Sequence, residues 1–248
     1  VNIIQTAQPE APAFSNTLTL PATMNPVNRL FLVLLTVLYC ATTFGQCRTN
    51  KELAESKALK LSPLFGQFVA LQQSNKDSAR VLSRYIIKEL QEVYCTDTTN
   101  KDIGHYLAFY LYYDKQIPSA IQWYLKQLES ETYIYDKANH NAALALCFAY
   151  IGELDSIEIY LNRSFSIDGY DKNLRIQSLV NNFEEIAKEL SCNFLSSDFS
   201  LLRSKFSDPC EYAPKFLKIV YGISNRFLSD ENERYNTSVS KNNLECCR

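Results

Sequence analysis

Between Lys76 and Tyr94 the apolar residues Leu82, Tyr85, Ile86, Leu90 and Val93 recur at three- and four-residue spacing. That spacing gathers them on one face of a helix and leaves the charges on the other. The same period returns at Ile176, Leu179, Val180, Phe183, Ala187 and Leu190, and again at Phe216, Ile219, Val220, Ile223 and Phe227. Upstream, residues 50–61 predict a short helix stopped at Ser62-Pro63, because proline disfavours the helical state of the residue before it. A second helix is expected from Leu64 to about Gln73. Phe199, Leu202 and Phe206 carry apolar spacing up to Asp208-Pro209, and Pro214 suits the first turn of a last helix ending near Phe227. Residues 229–248 are polar and read as a flexible tail.

The middle of the chain repeats. With an offset of 37 (145 minus 108), Leu107 falls on Leu144, Ala108 on Ala145, Leu111 on Phe148, Ala120 on Ile157, Tyr124 on Leu161 and Leu128 on Phe165. Each copy has a polar break between two apolar periods, Asp114-Lys115-Gln116 in the first and Gly152-Glu153 in the second. The pattern predicts helix, tight turn, helix, twice. Strand-like alternation at Tyr133 to Tyr135 reads as a bridge between the copies. That at Ile157 to Leu161 reads as helix, since its counterpart around Ala120 does not alternate.

These two segments resemble the tetratricopeptide repeat, an antiparallel helix pair of about 34 residues. The second, Ala142 to Asp168, fits better: Ala145 takes the small contact position, Phe148 the adjoining aromatic, Gly152 the turn, Leu154 the bulky residue after it, and Ser164-Phe165 the small-large pair. The first keeps Leu107, Ala108, Leu111, Ile117, Ala120, Tyr124 and Leu128, but it lacks a turn glycine and puts Gln127 at a usually small position. The offset of 37 and Gly169 in place of the usual proline also depart from the family. The resemblance implies an all-α fold of tetratricopeptide-like hairpins stacked as a short α-solenoid over residues 46–228, with its best units at 101–134 and 138–171. Two units bury little alone, so the flanking helices must complete the stack.

Composition agrees with helices. Six Gly and eight Pro in 248 residues are too few for the many tight turns of a sandwich or barrel. A formal charge of −2, with Lys and Arg scattered, gives no footprint for nucleic acid and no basic face for an anionic membrane.

Residues 24–45 carry the three parts of a secretory signal: Arg29, the apolar run Leu30 to Tyr39, and the small residues Thr43 and Gly45 ahead of a cut before Gln46. The run is short for a bilayer span of about 20 residues. An uncleaved anchor is the alternative; a lipoprotein cut fits less well, because Tyr39 precedes Cys40 and Gln46 precedes Cys47. Residues 1–23 read as an upstream extension. Export, to the periplasm or surface of a Gram-negative cell, would allow disulfides to persist. Cys192 and Cys210 are the best pair for a bridge, and Cys147 reads as a small core residue.

No motif for catalysis appears. The chain lacks a nucleophile elbow, a phosphate loop and a dinucleotide fingerprint, and its two histidines, His105 and His140, have no metal spacing. Neither enzyme activity nor a cofactor or metal is expected. If the repeat register holds, the resemblance places His105, Phe109, Tyr112 and Tyr113, with Ala142, Leu146 and Tyr150, on a concave aromatic groove. The basic clamp that the family uses for acidic peptide tails is missing. A protein or peptide partner is therefore expected, with a small-molecule or glycan ligand as the alternative, an enzyme with no recognisable motif as the third reading, and no nucleic acid or mature transmembrane span.

Overall fold

The computed structural model describes residues 50–168, 172–228 and 234–237. The expected signal at 24–45, the extension at 1–23 and most of the tail lie outside the described residues. Within them the chain is all-helical and contains no strand. The helices are α1 (Lys51–Ser74), α2 (Lys76–Thr96), α3 (Lys101–Tyr113), α4 (Ile117–Ser130), α5 (Ile134–Ile151), α6 (Leu154–Phe165), α7 (Lys172–Asn193), α8 (Ser200–Arg203) and α9 (Pro209–Phe227). A single 3-10 turn, Ser197–Phe199, leads into α8.

Three boundaries differ from expectation. The chain does not break at Ser62-Pro63: α1 runs through Pro63. Pro63 cannot bond to the carbonyl of Leu59, but both residues are exposed, so the freed carbonyl lies on the solvent side of the helix, where the lost bond costs least. The last helix starts at Pro209, five residues before Pro214, because the Asp208 carboxylate accepts from Cys210 N at 2.8 Å and Pro209 follows such a cap readily. Ile134 and Tyr135, expected to bridge the copies, form the first turn of α5.

Asparagine starts each of the first three helices. Asn50, Asn75 and Asn100 accept from Leu53 N (3.0 Å), Ser78 N (3.0 Å) and Ile103 N (3.2 Å), satisfying amides that the helix itself leaves unpaired. The turns after α3 and α5 share one motif. Gln116 N donates to Leu111 O at 2.9 Å, and Glu153 N donates to Phe148 O at 3.1 Å. Between them Lys115 (φ 64°) and Gly152 (φ 76°) take the left-handed conformation. All three pairs of positions are 37 apart, so the two hairpins turn by the same geometry. Gly152 is required twice over, since a Cβ there would also lie 2.7 Å from Leu202 Cδ1 on α8. Lys115 adopts the same backbone with a side chain, at a cost of about 1–2 kcal/mol.

Consecutive helices pack on one another from α1 to α6. The order then changes: α9 lies against α6, and α7 lies against α9 and α5. Leu107 and Ala108 on α3, Leu144 and Ala145 on α5, and Ile157, Leu161 and Phe165 on α6 are fully buried. Cys147 is a free, buried thiol, whereas Cys95, Cys192 and Cys210 are disulfide-bonded.

Candidate functional site

On α3, His105, Phe109, Tyr112 and Tyr113 fall at intervals of four, three and one, and so share one face. Ala142, Leu146 and Tyr150 share the corresponding face of α5. The two faces meet where the rings of Tyr112 and Tyr150 lie 5.8 Å apart, edge to face. At the other end α3 reaches α5 beside that face, where His105 Nδ1 lies 2.9 Å from His140 Nε2.

The α5 side of this surface is sealed. Tyr150 is 3% exposed, with Ala142 and Leu146 buried beside it. The α3 side stays open in part, with His105, Phe109, Tyr112 and Tyr113 half-buried. Two flanking elements set this difference. Phe68 of α1 packs edge-on against Tyr110 (4.8 Å) and Tyr113 (5.3 Å), and Phe65 stacks on Tyr106 at 5.0 Å. On the other flank Phe199 of the 3-10 turn stacks on Tyr150 at 5.6 Å. A row of rings therefore runs from α1 across α3 and α5 to the 3-10 turn.

Each end of the row is polar. The facing nitrogens of His105 and His140 share one proton between them, and the buried His140 Nδ1 has no partner among the described residues. Burial first, and His105 second, push the His140 imidazole down to about 4, so it is neutral at physiological pH. At the other end Lys115 lies 4.1 Å from the centre of the Tyr150 ring and donates to the Tyr150 hydroxyl and to Glu189 Oε2, the latter at 3.0 Å. The Tyr150 hydroxyl donates to the same carboxylate oxygen at 2.8 Å. Burial lowers the Lys115 ammonium, and the Glu189 charge opposes that shift. Beside this cluster Arg80 bonds Asp198 through two 2.8 Å contacts, while Asp114 accepts from Arg84 Nε at 2.7 Å and from Gln116 at 2.9 Å. These ion pairs tie α2 and the α3–α4 turn to the 3-10 turn.

Sequence reasoning names the α3 and α5 faces but misses His140, Lys115, Glu189 and Arg80 as members of the surroundings. For Lys115 a signal existed: it stands 37 residues before the turn glycine. For Glu189 and Arg80 none did, because their partners come from distant helices.

Among the described residues no group of three or more His, Cys, Asp or Glu is placed to hold a metal ion, and no helix is long and apolar enough to cross a membrane. Comparison with family models, with curated proteins and with solved structures finds no match in any of the three.

Proposed function

We propose that this is an exported helical-repeat protein that holds a segment of a partner protein against the inner face of α3, through His105, Phe109, Tyr112 and Tyr113. One observation carries the reading: four aromatic side chains that share one face of α3 are only partly buried, beside the sealed Ala142, Leu146 and Tyr150 of α5. Rings held by a packed floor lose little freedom on binding, which suits them to anchor a partner. Between His105 and Lys115 the row offers ring faces and few polar atoms. That favours a peptide with apolar side chains over a glycan, whose hydroxyls need partners along their whole length. Disulfide-bonded Cys95, Cys192 and Cys210 support export, since such bonds persist in oxidising compartments. The twin turns 37 residues apart support a tetratricopeptide-like stack.

The proposed activity is binding without chemistry. The two histidines engage each other, and Lys115, whose pKa burial lowers, is held by Glu189 and Tyr150.

For a peptide selected from a random library against the mature protein, Phe109→Ala is expected to weaken affinity by about 2 kcal/mol, roughly thirtyfold, by calorimetry. Circular dichroism should show the variant still helical. Unchanged affinity would place the contact elsewhere.

A further inference from the structure

The described part of the tail, residues 234–237, is held against α9 by a contact that reads its backbone. Tyr235 N donates to Asn225 Oδ1 at 2.7 Å, and Asn225 Nδ2 donates to Tyr235 O at 2.8 Å. One carboxamide thus takes both polar groups of a single residue. A residue can offer its N–H and C=O to the same side in this way when its backbone is extended, as in a paired strand. One helical turn before Asn225, Tyr221 stacks its ring on that of Tyr235 with centres 5.3 Å apart and planes 9° from parallel. The Tyr221 hydroxyl donates to Glu184 Oε1 on α7 at 2.6 Å, which fixes the lower ring of the stack.

These parts divide the work of peptide recognition. Asn225 reads backbone and is indifferent to sequence. Tyr221, fixed by Glu184, reads one aromatic side chain. Receptors for extended peptides combine the same two elements, main-chain hydrogen bonds for affinity and a side-chain site for specificity. We propose that Asn225, Tyr221 and Glu184 form a docking site for an extended peptide segment carrying a tyrosine or phenylalanine, with Tyr235 of the same chain as its resident occupant. A partner segment of this chemistry binds by displacing Tyr235. The site lies on α7 and α9 and does not depend on the α3 groove.

Five residues separate Leu228 from Arg234. So short a tether holds the occupant at an effective concentration of about 1 mM, and a peptide of roughly 100 μM affinity would meet about tenfold competition from it. The test uses the full chain and a fluorescein-labelled synthetic peptide of residues 232–238, read by fluorescence anisotropy. Tyr235→Ala, which removes the resident ring from Tyr221 and leaves only the backbone contact to Asn225, is expected to bind the peptide about tenfold more tightly than the unaltered chain. Adding Asn225→Ala removes that binding. Adding Asn225→Asp, which keeps shape and acceptor but loses the donor, weakens it less. A peptide with alanine in place of its tyrosine does not bind. Equal binding by the unaltered chain and Tyr235→Ala, binding indifferent to Asn225, or no binding to either chain would each overturn the proposal. Comparable helicity by circular dichroism in all variants confirms that the fold is intact.

Discussion

Replacing Tyr150 with alanine is expected to cost the fold about 3–5 kcal/mol in denaturant melts, the range for deleting a buried aromatic ring. The ring is 3% exposed, stacks on Phe199 and carries the Lys115 ammonium over its face. Its removal opens a cavity and strips Lys115 and Glu189 of a shared partner, two losses that reinforce each other. Tyr150→Phe separates them. It keeps the ring and deletes only the hydroxyl, so it should cost about 1–2 kcal/mol. A change below about 1 kcal/mol for Tyr150→Ala would mean that the 3-10 turn and α7 do not cover α5 as described.

Acid is expected to destabilise the protein through His140. The imidazole titrates near 6.5 when unfolded and is held down to about 4 when folded. The unfolded chain therefore binds more protons in that window, and stability is complete above pH 6.5 and lost as pH falls toward 4. Groups facing the ring include His105 on α3, Tyr124 on α4 and Glu131 at the end of α4. Of these charges His105 favours the neutral ring, and Glu131 opposes it. The nearby Asp136 carboxyl is raised, mainly by burial, and acts with the opposite sign, gaining stability as pH falls. Comparison with His140→Gln isolates the imidazole, since Asp136 is present in both proteins. Between pH 7.5 and pH 4 the unaltered protein should lose about 3 kcal/mol more than the variant. Parallel losses in urea melts would show that His140 is accessible to protons in the fold.

Local pattern made much of this fold readable from sequence, and long-range packing supplied the rest. The period of Leu82, Ile86, Leu90 and Val93 places α2 within two residues at its C-terminal end, and the offset of 37 anticipates two hairpins that turn by one hydrogen-bonded motif. The Ser62-Pro63 break failed because a proline on a solvated face costs a helix less than one against the core. Lys115 hid its left-handed turn behind a residue type that seldom adopts it. Burial along the α3 and α5 faces was the least legible feature. Spacing says which residues share a face, but what covers Tyr150 is Phe199, and what flanks Phe109 and Tyr113 is Phe68, each from a helix whose position depends on the whole fold. The histidine pair is likewise off the repeat: the offset would match His105 with Ala142, yet it meets His140, 35 residues away.

If the inner face of α3 is the contact surface, a bound peptide must touch Phe109. A benzophenone side chain placed at position 109, with a second protein carrying it at the exposed Val81 on α2 as the control, tests this directly. Irradiation with a library-selected peptide should crosslink it from position 109 and not from position 81. Crosslinking from position 81, or from neither position while the peptide is demonstrably bound, would contradict the assignment of the groove.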